Sequence, residues 1–226
     1  QERKMNLLND LKIGVRLIGG FVLIALLSVV MLIISYSGAH TINTNTENLY
    51  SNRLQPIQQL AIVNAKFQES RADTFRYVFI SESRTESENA TTQSLADISK
   101  YMQAYQNNPS ITDEEKAEIA KFTKAFQDYE TEVNDIFYLV RSGDQQGALN
   151  ALSTDSAVVT ARKDATNSID RLIEINNSLA EDNVSAAQNV FTRTATAIIS
   201  IGVFNTLLAI GLGIFITLTI TMAIRV

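Results

Sequence analysis

The 226-residue chain has no cysteine, no tryptophan, one histidine (His40), two prolines and nine glycines. Without cysteine there is no disulfide, no thiolate nucleophile and no thiolate metal ligand, and the redox state of its compartment leaves no mark on the sequence. Zinc and haem sites and Ser/His/Asp triads draw on residue types that this chain lacks or holds once. The chain is therefore read as non-enzymatic, with no cofactor and no metal. Few glycines and prolines favour long, uninterrupted helices. A hydrophobic content of 46% and a mean hydropathy of +0.03 look like those of a soluble protein. That average misleads, because the apolar residues are gathered into two blocks near the ends.

Leu17 to Tyr36 is a run of 20 residues without a charge. At about 1.5 Å per residue a helix of this length covers about 30 Å, the thickness of a bilayer core. Thr194 to Ile224 is a second charge-free run of 31 residues, whose buried part is placed near Ile198 to Ile220. Asn205 and the glycines Gly202, Gly211 and Gly213 lie inside it; helix packing through small residues and a polar signalling role for Asn205 are both open readings. Ser37 and Ala39 supply a small-x-small pattern, but the first run is too long for the apolar core of a signal peptide, so an uncleaved anchor is expected.

Arg3, Lys4, Lys12 and Arg16 precede the first run, against Glu2 and Asp10. The positive-inside rule then puts the N-terminus in the cytoplasm, and two spans return the C-terminus, with Arg225, to the same side. The expected organisation is a cytoplasmic segment 1–16, a span 17–36, an extracytoplasmic domain 37–193, a span 194–224, and a cytoplasmic start at 225–226. Residues 37–193 hold 14 Lys and Arg against 22 Asp and Glu, a net of −8, unlike a nucleic-acid-binding surface.

Between the spans the pattern is helical throughout, and the predicted fold class is all-α: a membrane-anchored, antiparallel up-down four-helix bundle with two transmembrane helices. The first helix is read to about Ile80 with a stripe of Tyr50, Arg53, Ile57, Leu60, Asn64, Phe67, Arg71, Thr74 and Val78. Pro56 should kink it or mark a joint. The second opens at Thr85-Glu86-Ser87-Glu88, read as a capping box, carries Thr91, Leu95, Ile98, Met102 and Tyr105 on one face, and stops at Asn107-Asn108-Pro109-Ser110.

The third opens at the box Thr112-Asp113-Glu114-Glu115, whose acidic triplet is read as compensating the helix dipole. Its ladder is Ile119, Phe122, Phe126, Tyr129, Val133, Ile136 and Val140, a strict alternation of threes and fours. Gly143 suits a left-handed C-cap and Asp144 an N-cap. A short helix bearing Leu149 and Leu152 breaks at Ser153 to Ser156. The last helix then runs through Val159, Thr166, Ile169, Ile173, Asn176, Ala180, Ala187 and Val190 into the second span. Short loops make neighbours antiparallel.

This layout resembles methyl-accepting chemotaxis receptors with a four-helix-bundle sensory module. Tyr50-Ser51-Asn52-Arg53-Leu54-Gln55-Pro56-Ile57 is similar to the Y-x-x-R-L-x-P-hydrophobic segment near the start of that module. Arg141-Ser142-Gly143-Asp144, followed by Ala148 and Leu149, is similar to its turn between the third and fourth helices. The resemblance implies a sensor in the bacterial inner membrane, working as a homodimer and in higher receptor arrays. It also implies a small-molecule or protein ligand outside, and a histidine kinase and coupling protein reached through sequence beyond Val226. The same module fronts histidine kinases and cyclic-nucleotide enzymes, so the output stays open, as does a structural two-span bundle. Membrane lipid is an expected partner and nucleic acid is not. Dimerisation is also expected because the first helix has more apolar and polar-core positions than one seam needs.

In bundle receptors for small anions, arginines toward the outer end of the first helix engage the ligand. By chemistry rather than motif, Arg71 is the first candidate here, with Arg76 and Tyr77 one turn on. Arg162 and Thr166 of the last helix, Thr91 of the second and Tyr138 of the third are read at the same level. An inward Arg71 needs a partner: a ligand carboxylate, an internal acid such as Glu69 or Asp73, or solvent at a dimer seam.

Overall fold

The computed structural model describes residues 13–224; the basic N-terminal residues Arg3, Lys4 and Lys12 and the C-terminal Arg225 lie outside them. Helix α1 spans Ile13–Leu49, and a π-helical turn, Tyr50–Leu54, joins it to α2, Gln55–Phe79. A 3-10 turn, Ser81–Ser83, leads into α3, Arg84–Gln106; α4 is Asp113–Ser142, α5 is Gln145–Ala151, and α6 is Ala157–Ile224. Among the described residues there is no strand. The chain divides into two compact units, one of residues 47–183 and one formed by the two ends of the chain, up to Thr46 and from Val184.

The unit of residues 47–183 is the four-helix bundle of α2, α3, α4 and the first part of α6. Its helix ends follow from local chemistry. At the start of α4 the Thr112 hydroxyl accepts from the Glu115 N–H at 3.2 Å, and the Glu115 carboxylate accepts from the Thr112 N–H at 2.8 Å, closing the capping box. At its end Gly143 takes φ +87°, which glycine adopts without the steric cost of a Cβ. The Asp144 carboxylate then caps α5 by accepting from the Gly147 N–H at 2.8 Å. The box read at Thr85 does not form: α3 already begins at Arg84, its N-cap is Ser83, and Glu88 accepts from Arg141 at 2.7 Å instead. Ser-x-x-Glu and Thr-x-x-Glu overlap in this stretch, and neither makes a side-chain cap.

Direction is fixed by cross-helix pairs. Glu88 meets Arg141 and Tyr105 meets Glu115, so α3 and α4 run antiparallel; Glu114 meets Arg171 as Tyr129 and Arg162 line one crevice, so α4 and α6 do too. Phe67 packs on Phe126 and Tyr77 on Phe137, so α2 and α4 run parallel. This is the up-down-up-down order. The ladders read on α3 and α4 are buried throughout.

On α2 the buried phase differs from the one read. Pro56, Leu60, Val63, Phe67, Ser70, Thr74, Tyr77 and Val78 face inward, and Arg71 is exposed. On α6 the buried positions are Val158, Ala161, Ala165, Ser168, Ile169, Leu172, Ile175 and Asn176, while Val159, Thr166 and Ile173 are half-buried. The joint foreseen at Pro56 is the π turn, where the Gln55 N–H reaches five residues back to the Tyr50 carbonyl. Proline has no N–H to continue the α ladder, and the turn absorbs the break with one extra residue.

In the other unit, α1 and the latter part of α6 each hold a window apolar and long enough to cross a membrane, and neither window is buried within the protein. They pack antiparallel: Met31 sits 3.4 Å from where a Cβ on Gly202 would be, and Leu212 lies 3.0 Å from the same position on Gly20. Gly211 and Gly213 have open space there, so close approach uses only some of the small residues. The Asn205 amide donates to the Ser28 hydroxyl at 3.3 Å across the two helices.

Candidate functional site

Two polar constellations interrupt the apolar bundle, one toward each end. The first lies toward the α2–α3 turn and gathers some of the residues singled out from sequence. Arg71 and Arg162 line one crevice between α2 and α6, with Thr74, Phe75, Tyr129 and Val158 around them. Its volume is about 20 Å³, room for about one water. Arg71 lies with its guanidinium 5.4 Å from the centre of the Phe75 ring. The two acids considered as its partners are engaged elsewhere, Glu69 by Lys66 at 2.7 Å and Asp73 by Arg76 at 3.0 Å. Among the described residues neither Arg71 nor Arg162 forms a salt bridge. Deeper in, the Ser70 and Tyr129 hydroxyls lie 3.1 Å apart and the Thr74 hydroxyl donates to the Ser70 carbonyl. Burial pushes the Tyr129 hydroxyl pKa up, although Ser70 and the positive charges of Arg162 and Arg71 act against it.

The remaining candidates separate. Thr166 is half-buried and donates back to the Arg162 carbonyl at 3.0 Å, holding that turn rather than facing the crevice. Thr91 is fully buried with its hydroxyl oxygen unpartnered. Tyr77 is in the core, its ring 4.3 Å from that of Phe137. Tyr138, the next residue on α4, is 66% exposed on the outer face. Arg76 is exposed and tied to Asp73. The stripe read on α2 put Arg71 in place of Ser70, which heptad spacing alone does not distinguish, because Leu60, Phe67 and Thr74 belong to both phases.

The second constellation, at the end where the bundle begins and finishes, was read only as a helix cap. Glu115 has no exposed surface. Its Oε1 accepts from the Tyr105 hydroxyl at 2.6 Å and the Asn176 amide at 2.9 Å. Its Oε2 accepts from the Thr112 N–H at 2.8 Å and the Thr112 hydroxyl at 2.9 Å, and lies 3.7 Å from Arg53. Arg53 also donates to the Ser110 carbonyl at 3.4 Å. One carboxylate thus joins the π turn before α2, the end of α3, the start of α4 and the bundle part of α6. Burial pushes the Glu115 pKa up, but the Thr112 N–H, the Tyr105 and Thr112 hydroxyls and the Asn176 amide outweigh it and hold it below the usual carboxylate value. Tyr105 moves the other way, raised by burial and by its hydrogen bond to that carboxylate. The available signal was the arginine of the Y-x-x-R-L-x-P segment; its partner lies on another helix, beyond any local pattern.

Among the described residues no group of His, Asp or Glu is arranged to hold a metal. Residues 10–191 match the family described as "Four helix bundle sensory module for signal transduction". None of the curated proteins and none of the solved structures compared matches the chain. The match takes in every helix of the bundle and the first apolar span, and the observed architecture is the one that family has. The chain belongs to the four-helix-bundle sensory module family of chemotaxis receptors.

Proposed function

We propose that the chain is the membrane-anchored sensor region of a chemoreceptor-type transducer. It registers a small carboxylate outside the cytoplasm and reports it inward by displacement of α6. The observation that carries this reading is the continuity of α6, a single helix of 68 residues that supplies both the fourth bundle helix and the second apolar span. Movement at its bundle end needs no hinge to reach its span. The basic residues before the first span support an outside location for residues 37–193 by the positive-inside rule.

Arg71 and Arg162 are the residues proposed to take the ligand. Two guanidiniums without a carboxylate partner border one crevice, and bidentate pairing to a carboxylate is what guanidinium geometry favours. The crevice is too small for such a ligand, so entry must part α6 from α2. That is how binding becomes motion. A ligand acts only through its different affinity for the two packings.

The sensor is further proposed to work as a homodimer through the outer face of α2. Leu54, Gln58, Ala61, Ala65, Gln68, Ala72, Phe75 and Phe79 repeat at alternating steps of four and three, and none is charged. They lie opposite the buried stripe, and all but Phe75 are exposed. An uncharged heptad seam of alanines and glutamines, with Leu54, Phe75 and Phe79 toward its ends, is suited to a second copy of the same helix.

The test is calorimetry on the full chain in lipid nanodiscs, with succinate and acetate as probes. At least one should bind, and Arg71→Ala should weaken it at least tenfold with helicity and melting temperature unchanged. Absence of binding by both, or equal affinity in the variant, overturns the carboxylate reading.

A further inference from the structure

The chain's two prolines, Pro56 and Pro109, border one groove of about 330 Å³. It runs between the π turn with the first turns of α2 on one side and the end of α3 with the following loop on the other. No charged residue lines it, although residues 37–193 carry 22 acids and 14 bases. Carboxamides take their place: Asn52, Gln55 and Gln59 from one wall, Asn107 and Asn108 from the other. Asn52 and Asn108 already have internal partners, Asn52 donating to the Asn48 side chain at 3.3 Å and Asn108 accepting from the Ser110 N–H at 2.9 Å. Among the described residues the side chains of Gln55, Gln59 and Asn107 have no hydrogen-bond partner.

The backbone adds an acceptor. Pro56 has no N–H, so at least one of the Ser51 and Asn52 carbonyls in the π turn lacks its helical donor. Both residues line the groove. The walls therefore offer amide donors, amide acceptors and two pyrrolidine rings, beside a turn that holds an unpaired helical carbonyl. A charged ligand would lose hydration and meet no countercharge. Arg53, the cation next to Asn52 in the π turn, is directed to Glu115 and the Ser110 carbonyl. A neutral ring bearing several hydroxyls matches each feature: hydroxyls pair with carboxamides in both senses, and its C–H face covers a proline. The volume lies at the small end of the range for ligand sites, about 300–1,000 Å³, which suits one compact molecule.

We infer that this groove is a second binding site, for a neutral, hydroxyl-rich small molecule of the size of a sugar. It is separate from the Arg71 and Arg162 crevice and does not rest on the carboxylate reading. Its occupant bridges the π turn to the α3–α4 loop, and Ser110 in that loop accepts from Arg53. Binding there therefore bears on the junction at Glu115, while the crevice acts from the other end of α2.

The experiment is calorimetry on the full chain in lipid nanodiscs, which avoids sugar-headed detergents. Glucose, maltose and sorbitol are the probes, with succinate as the charged control. At least one neutral probe should bind. Its affinity should fall at least tenfold in Gln59→Leu/Asn107→Leu and stay unchanged in Arg71→Ala, while any succinate response stays unchanged in the double variant. Asn107 is exposed and Gln59 half-buried, and a melting temperature equal to that of the parent shows that the fold is kept. If the double variant melts lower, the single variant Gln55→Leu serves, with the same loss expected. No heat from any neutral probe overturns the proposal, as does binding that persists in the folded double or single variant.

Discussion

Glu115 is an ionised group with no exposed surface, and its stability rests on four hydrogen-bond donors and the charge of Arg53. Removing one partner of a buried pair costs about 3–5 kcal/mol, because the other is left without compensation. Glu115→Ala should destabilise the bundle by about that amount, read from thermal or denaturant melts. The pH dependence has a definite sign. The folded carboxyl lies below its ordinary value of 4.5, so its contribution is complete above the unfolded value and is lost as pH falls through the folded one. Melts from about pH 7 down to about pH 3 should show stability falling at the acid end, more steeply in the parent than in Glu115→Gln. An identical acid profile in that variant would mean that the carboxylate is not the titrating element. The sequence identified the cap at Thr112, since that is local. It did not reveal the junction, which depends on residues of three other helices converging in space.

At the scale of elements, α3 and α4 were legible because their apolar residues are large and fall in one phase. Helix α2 was less so. Its small and polar residues fill two phases that share Leu60, Phe67, Thr74 and Val78, and the contact of Ser70 with Tyr129 marks the phase that packs inward. In α6 the buried positions include Ala161, Ala165 and Ser168, small residues that a hydrophobicity pattern underweights. The outer stripe of α2 is the remainder of that ambiguity. If it is the seam of a dimer, Ala65→Glu sets two like charges against each other there. The variant should lower dimer affinity at least tenfold by light scattering in nanodiscs or detergent, while Ala96→Glu on the exposed face of α3 should not. Equal dimerisation of parent and Ala65→Glu would move the seam elsewhere.

For the whole molecule, the two charge-free runs and the helical pattern between them were sufficient for the all-helical architecture with two helices long and apolar enough to cross a membrane. The proposed ligand site was legible in part: Arg71 and Arg162 were both singled out and line one crevice, whereas Thr91, Tyr138 and Thr166 do not line it, because which face each helix turns inward depends on packing. The absence of cysteine is useful here, since introduced labels meet no background thiol. Lys124 on α4 and Asn177 on α6 are both exposed and lie at different levels along antiparallel helices, so an axial shift of α6 changes the distance between them. Spin labels on Lys124→Cys/Asn177→Cys, diluted with unlabelled chain in nanodiscs, measure it directly. With a carboxylate probe that calorimetry has shown to bind, the distance should change by about 1–2 Å, and Arg71→Ala should abolish the change. A distance distribution identical with and without the bound probe would contradict displacement of α6 as the carrier of the signal.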